Sequence, residues 1–191
     1  MNMVIICGRS GSGKTTVANL LKNMLKFHRV VTYTTRMPRN GERDGKDYYF
    51  ISEQRFTELI GSNFFAEWTI YNGNFYGSAK ADYKDSKGVI VLDEHGVSTI
   101  LASKDNELLN NCHIFLLDVS QRVALIRMLQ RGDDITEAIC RCINDQELFN
   151  NIEKYKDKIS IINNDNGCAE ATIYSMLKDD IEEIEYYSDF Y

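Results

Sequence analysis

Near the start of the chain, Gly8-Arg9-Ser10-Gly11-Ser12-Gly13-Lys14-Thr15 fits the pattern G-x-x-x-x-G-K-[ST], and no other stretch constrains the fold as much. Such a loop cradles phosphate only where a buried strand leads in and a helix leads out, so it specifies a strand–loop–helix unit of an α/β protein. Both flanks comply. Met3-Val4-Ile5-Ile6-Cys7 is a short apolar run of the kind parallel strands use. From Thr15 to Lys26, Val17, Leu20, Leu21, Met24 and Leu25 recur three and four apart, which predicts an amphipathic helix with its N-terminus toward the loop. Its free N–H groups can hold phosphate oxygens, Lys14 can reach the outer phosphates and the Thr15 hydroxyl can ligate magnesium. The alternative, a flexible glycine-serine turn, does not account for the strand and helix on either side.

Further apolar runs at Val89–Leu92, Ile114–Leu117 and Ile159–Ile162 are separated by helix-like stretches. One such helix carries Val123, Leu125, Ile126, Met128 and Leu129; the last carries Ile173, Tyr174, Leu177, Ile181 and Ile184. This alternation predicts a parallel sheet covered on both faces, and 191 residues with 43% hydrophobic content suffice for one such core plus a small inserted lobe. The lobe is expected at 32–80, where Arg36, Arg39, Arg43 and Arg55, a dense set of aromatics and the single proline, Pro38, change the texture. Within it, Ser52 is a plausible cap for a short helix holding Phe56, Leu59 and Ile60, and Asn72-Gly73-Asn74 signals a hairpin.

Charge narrows the partners. Residues 179–191 hold six acids and no Lys or Arg, so the net charge of −6 sits in this tail, and the preceding residues carry 22 charges of each sign. With no basic stripe, nucleic acid is not an expected partner. The cysteines, Cys7, Cys112, Cys140, Cys142 and Cys168, lack C-x-x-C spacing and read as core thiols. No eighteen apolar residues run together and no leader pattern opens the chain, so no membrane contact is expected and a reducing, cytoplasmic setting is. Oligomeric state is not legible.

Thr34-Thr35-Arg36-Met37-Pro38-Arg39-Asn40-Gly41-Glu42, followed by Gly45, Asp47, Tyr48 and Phe50, then Glu67-Trp68 and Asn74-Phe75-Tyr76-Gly77-Ser78, resembles the guanylate kinase family. Together with the phosphate loop and a late arginine-rich segment, the resemblance covers nearly the whole chain. It implies a three-layer α/β/α phosphate-loop fold with a central parallel sheet, a core of 1–31 and 81–191, an inserted mixed β lobe at 32–80 that binds GMP, and a short mobile lid at about 131–142. It also implies reversible, magnesium-dependent phosphoryl transfer from ATP to GMP.

Arg36 and Arg39 stand three apart beside a proline-fixed turn, and guanidinium forks match phosphate oxygens. From spacing alone a solvated basic loop is equally open; the resemblance assigns Arg36, Arg39, Tyr48 and Tyr76 to the GMP phosphate. It places Gly77 in the same site, Glu67 on the guanine N–H donors, and Ser78 and Thr32 as hydroxyl donors on the O6 side. A carboxylate there would face a lone pair of adenine, and such a site rejects the wrong base by roughly 10⁴ or more. ATP is implied on Gly8, Arg9, Ser10, Gly11, Ser12, Gly13, Lys14, Thr15 and Thr16, with Mg²⁺ on Thr15. Gln130-Arg131-Gly132-Asp133-Asp134 and Arg141 resemble the lid, so Lys14, Arg36, Arg131 and Arg141 would neutralise the transferring charge.

Four departures accompany the resemblance. Thr32 stands where the family usually has serine, and Arg9 where it often has proline; Arg9 either touches phosphate or faces solvent. Leu92-Asp93-Glu94-His95-Gly96 is shorter than the family's D-x-D segment, leaving Asp93 near either magnesium-bound water or the guanine amino group. Arg131 and Arg141 are ten apart, one fewer than expected, which predicts a trimmed lid loop. Two other functions stay open: a peptide-binding module on the same fold, against which the intact Lys14 and Thr15 argue, and a small kinase for another acceptor, against which Glu67 and Ser78 argue.

Overall fold

The structure, a computed structural model, describes residues 3–39, 41–71, 73–84, 87–103, 111–152, 157–169, 171–173 and 175–177. In chain order its elements are β1 (Met3–Gly8), α1 (Lys14–Leu25), β2 (His28–Arg29), β3 (Tyr33–Thr34), β4 (Tyr49–Phe50), α2 (Glu53–Gly61), β5 (Phe65–Tyr71) and β6 (Asn74–Ala79). A 3₁₀ turn (Lys80–Lys84) leads to β7 (Gly88–Val91), α3 (Glu94–Ala102), β8 (Cys112–Asp118), α4 (Gln121–Gln130), α5 (Ile135–Ile152) and β9 (Ser160–Asn163).

Alternation along β1 builds two cores. Met3, Ile5 and Cys7 enter a cluster with Ile90, Val97, Ile100 and Leu116, whereas Val4 and Ile6 point the other way onto Val17, Leu21, Phe27 and Phe115. The strand is buried on both faces because helices cover both. It is the centre of a parallel five-stranded sheet ordered β2-β7-β1-β8-β9, which is the expected three-layer α/β arrangement. The loop after β1 therefore emerges at the carboxyl end of the central strand, where open α/β sheets bind ligands.

Two helix faces differ from the periodicity. In α1, Val17, Ala18 and Leu21 are buried but Met24 is 58% exposed. The helix stops at Leu25, Lys26 turns the backbone at φ 56°, and Phe27 folds back into the core at the level Met24 was expected to fill. In α4 the buried residues are Ala124 and Met128, while Ile126 and Leu129 are exposed. The helix presents its small Ala124 to the phosphate loop, and a Cβ on Gly11 (φ 74°) would lie 2.5 Å from the Ala124 carbonyl oxygen.

A second, mixed sheet is ordered β4-β3-β6-β5: β3 pairs with β4 in parallel and with β6 antiparallel, and β5 with β6 antiparallel. The Ser52 hydroxyl caps α2 by accepting the Arg55 N–H at 3.2 Å. Phe56 from this helix stacks on Phe65 at 4.4 Å and approaches Phe75 at 5.1 Å, a separate aromatic core under the sheet. The β5–β6 pairing closes the expected hairpin, with Gly73 at φ 74°; Asn72 lies outside the described residues.

The segment expected as a lid is a helix–turn–helix. Arg131 caps α4, Gly132 turns at φ 90°, and Asp134 accepts the N–H groups of Thr136 and Glu137 to start α5. Of the last expected helix, Ile173 and Leu177 are buried against the sheet; Tyr174, Ile181, Ile184 and the acidic tail at 179–191 lie outside the described residues. Cys7 and Cys142 are buried and Cys112 half-buried, but Cys140 and Cys168 are exposed, so these two are not core thiols. Among the described residues no helix is long and apolar enough to cross a membrane.

The aromatic stack predicts an asymmetry in the second sheet. Phe56→Ala lowers stability by about 3–5 kcal/mol in urea unfolding, whereas Ile70→Ala on the exposed face of β5 stays within about 0.5 kcal/mol.

Candidate active site

The loop between β1 and α1 is held from behind through its carbonyl groups. Lys14 Nζ donates to the Gly8 and Arg9 carbonyls at 2.6 and 2.9 Å, Arg127 Nη1 to Gly11 at 3.4 Å, and Asn164 Nδ2 to Ser12 at 2.7 Å. Asn164 is almost fully buried and its Oδ1 accepts the Ala169 N–H at 2.9 Å, so both ends of its amide are used. Gly13, the residue before α1, has no side chain to cap the helix, which leaves the first N–H groups of α1 without intrahelical acceptors. They open on a cavity of about 400 Å³ lined by Ser10 to Thr16, Arg127 and Arg131. Arg9 is half-buried and is not in this wall. At one position the loop already holds a carboxylate: the Ser10 N–H donates to Asp145 Oδ2 of α5 at 2.6 Å.

Burial draws the Lys14 ammonium below its usual pKa, opposed by Asp145, Cys7 and Asp93, while the charge of Arg131 adds to the shift. Lys14 and Arg131 thus act on the same space. Behind the loop, burial pushes the Cys7 thiol up to about 12, so it is inert packing.

A second cavity, about 180 Å³, lies between the two sheets and is lined by Thr32, Tyr48, Glu67, Tyr76, Gly77 and Asp93 among others. Glu67 on β5 is 4% exposed, and burial, reinforced by Asp93, raises its carboxyl to about 7 against the opposing Ser78 hydrogen bond. The Ser78 hydroxyl donates to Glu67 Oε1 at 2.6 Å and lies 2.8 Å from the Tyr83 hydroxyl. Ser78 is fully buried behind Glu67 and is not in the cavity wall, whereas Thr32 is. The hydroxyl expected beside O6 is therefore spent elsewhere. Asp93 caps α3 by accepting the Gly96 N–H at 2.8 Å, and Gly96 has no room for a side chain, because a Cβ would lie 3.0 Å from Glu67 Oε2.

Arg36, Arg131 and Arg141 are paired with acids. Arg36 Nη2 bonds both Glu42 oxygens at 2.8 and 3.0 Å, and its guanidinium lies 5.5 Å from the centre of the Tyr48 ring. The pair holds Glu42 below the usual carboxylate range and Arg36 above its own. Glu42 Oε2 also accepts the Arg39 N–H at 2.7 Å, fixing the turn; the Arg39 side chain is exposed. Tyr48 meets Tyr76 edge-on at 6.1 Å. On the other side, Asp133 accepts from Arg131 Nε and Nη2 at 2.8 and 2.5 Å and from Arg141 Nη1 at 3.3 Å; Arg141 Nη2 also bonds Glu137. Arg131 first, then Arg141 and Arg39, draws the Asp133 carboxyl down. Arg39, from the second-sheet side, is thus close enough to be felt in the helix–turn–helix.

The chain thus holds one cavity on a phosphate loop and another with a buried carboxylate. The family model described as Guanylate kinase matches residues 1–183. The chain belongs to the guanylate kinase family. It is 38% identical over 145 residues to a guanylate kinase of Nitratidesulfovibrio vulgaris, covering 73% of this chain and 68% of the relative. It is 31% identical over 190 residues to that of Helicobacter pylori, covering 95% and 82%. The crystal structure of guanylate kinase from Anaplasma phagocytophilum shares the fold with a TM-score of 0.67 at 22% identity, over 94% of this chain and 85% of that one. A gluconokinase from Sinorhizobium meliloti also shares it, with a TM-score of 0.53 at 12% identity over 98% and 97%. Since proteins named for different acceptors share this core, the guanylate kinase acceptor must be argued from the second cavity.

Within the guanylate kinase frame, the structure gathers Ser10 to Thr16 with Arg131 at one cavity and Thr32, Tyr48, Glu67, Tyr76, Gly77 and Asp93 at the other. Arg141 is in neither wall; its guanidinium is held by Asp133 and Glu137. Sequence reasoning missed Arg127, Asn164, Asp145, Glu42 and Tyr83. Glu42 lies inside the recognised motif, so its carboxylate beside two arginines was a usable signal; the others carry none locally. Asn164→Asp, which keeps the acceptor for Ala169 but turns an oxygen toward the Ser12 carbonyl, should cost about 1–3 kcal/mol in urea unfolding and weaken inorganic tripolyphosphate binding by calorimetry.

Proposed function

We propose that this chain catalyses reversible phosphoryl transfer from ATP to GMP, giving ADP and GDP, and thereby serves purine nucleotide metabolism. The observation that carries the acceptor is Glu67, a buried carboxylate in the wall of the second cavity. Guanine offers donors at N1 and N2, adenine a lone pair at N1, so an ionised Glu67 accepts two hydrogen bonds from guanine and repels adenine. Thr32 is the hydroxyl in the same wall for O6, and Asp93 stands near enough to Glu67 to serve the guanine amino group. Arg36, Arg39, Tyr48 and Tyr76 take the GMP phosphate within the lobe at 32–80, and dGMP, which differs only at the ribose, fits the same reading.

ATP phosphates lie on the loop from Gly8 to Thr16, against the open N–H groups of α1. The phosphate of GMP is largely ionised near neutral pH, its second pKa being about 6, so a GMP oxygen attacks without a general base. What the chain supplies is alignment and charge: Lys14 and Arg131 from the donor side, Arg36 from the acceptor side, and Arg141 once it leaves Asp133 and Glu137. Closing the helix–turn–helix as a lid over both pockets excludes the water that would hydrolyse ATP.

Magnesium fits one place. Thr15 is exposed at the first turn of α1 beside Lys14, a hard oxygen donor, and among the described residues no three His, Cys, Asp or Glu side chains form a metal cluster. Thr15, substrate phosphates and water would hold the ion, which would supply neutralisation of phosphate charge there. The exposed free thiols of Cys140 and Cys168 agree with a reducing cytoplasmic setting.

An ADP-release assay across GMP, dGMP, AMP, CMP and UMP tests the reading: turnover confined to GMP and dGMP supports it, and no turnover with any acceptor supports a binding module instead. In that assay Lys14→Ala should lower kcat by at least about 10²-fold with the fold intact by circular dichroism, and normal turnover would sink the loop assignment. The Glu67 carboxyl lies near 7 and must be ionised to accept from guanine, so kcat/KM for GMP should be full above pH 7 and fall as pH drops through about 7. Glu67→Gln should abolish that limb and reduce the GMP-over-AMP preference by about 10²-fold or more.

A further inference from the structure

Behind the guanine-facing carboxylate lies a chain of three buried groups whose polarity is set once Glu67 is ionised. Ser78 has a single hydroxyl hydrogen. An ionised Glu67 has none, so the 2.6 Å contact from Ser78 Oγ to Glu67 Oε1 consumes the Ser78 hydrogen. The 2.8 Å contact between Ser78 Oγ and the Tyr83 hydroxyl must then be donated by Tyr83. Burial holds the Tyr83 phenol well above its usual pKa, and the nearby Glu67 charge adds to this, so its proton is present throughout the working range. Tyr83, in the 3₁₀ turn after β6, is 2% exposed and does not line the guanine-facing cavity.

We propose that Tyr83 is a positioning residue for base specificity: its hydroxyl donates to Ser78, committing the Ser78 hydrogen to Glu67 and holding that carboxylate ionised and aimed at the guanine N–H donors. This rests on the reading of Glu67 as the guanine contact. It gives Ser78 a supporting place and leaves Thr32 as the hydroxyl for O6. The other groups facing the chain of three act against ionisation or are neutral to it. Asp93, at the start of α3, pushes the Glu67 carboxyl up; Asp82 from the same 3₁₀ turn and Cys112 from β8 bear on Tyr83. Gly96 of α3 packs against Glu67 Oε2 and brings no charge. Among the described residues Ser78 is the side chain that opposes burial and Asp93 at this carboxylate, and Tyr83 acts through it.

Tyr83→Phe keeps the ring and removes only the donor. The expected result is a rise of about five- to tenfold in KM for GMP, with kcat and KM for ATP unchanged, and an acid limb of kcat/KM for GMP moved upward by about half a pH unit or more. A direct NMR titration of the Glu67 carboxyl in the intact protein should show the same upward move, which loss of packing alone would not produce. If Tyr83→Phe leaves limb, titration and GMP preference at wild-type values while Glu67→Gln removes the limb, the Tyr83 proposal is overturned and the base contact stands. If Glu67→Gln also changes neither limb nor preference, both fall. A thermal unfolding midpoint close to wild type confirms that the Phe variant is folded.

Discussion

A loop that binds anions needs its N–H groups on one side, and a planar trans peptide points its N–H away from its C=O. Fixing the carbonyls of such a loop therefore fixes its donors. Here Gly8, Arg9, Gly11 and Ser12 each give their carbonyl to a side chain of the protein, from Lys14, Arg127 or Asn164. The donors of Lys14 belong to the loop itself, but Arg127 comes from α4 and Asn164 from the end of β9, so the loop is clamped by the elements on its β8–β9 side. Arg127 also bonds the Asn164 and Asp165 carbonyls at 2.7 and 3.2 Å, locking the two clamps together. The approach of Ala124 to Gly11 and the shape of the donor pocket go with this arrangement.

The acceptor side is built on a different principle. Its sheet is short and mixed, and it is held by the aromatic stack of Phe56, Phe65 and Phe75 rather than by burial on two faces. That separate core lets β5 and β6 carry polar side chains toward the first sheet, where Glu67 and Ser78 pair in register. A carboxylate in such a place has a narrow tolerance: burial and Asp93 favour its protonated form, and hydroxyl donors favour the ionised one.

How much of this was legible follows the range of the interactions involved. The phosphate loop, its strand and the start of α1 are local and were read directly, as were the other apolar runs of the parallel sheet and the Ser52 cap. Helix faces were read less well. Met24 yields its place to Phe27 because a left-handed residue at Lys26 returns the chain to the core, and Ile126 and Leu129 face outward because α4 packs through the small Ala124. The clamps on the loop were not legible at all, since Arg127 and Asn164 are 116 and 152 residues from the carbonyls they hold. Ser78 was read toward the base, but pairing across β5 and β6 commits its hydroxyl to Glu67. The connection between α4 and α5 is the turn from Gly132 to Asp134.

The pairing of Arg36, Arg131 and Arg141 with acids has a consequence for how the cleft fills. Arg36 rests on Glu42, Arg131 and Arg141 on Asp133, and the Ser10 N–H on Asp145, so the protein at rest carries its own surrogate anions. A phosphate that engages these groups does not meet bare positive charge; it displaces a carboxylate that then needs a new partner or water. Filling the site is in this sense ion exchange. Because Asp145 and Arg141 stand one helical turn apart on α5, an anion that evicts the first acts on the element that must release the second.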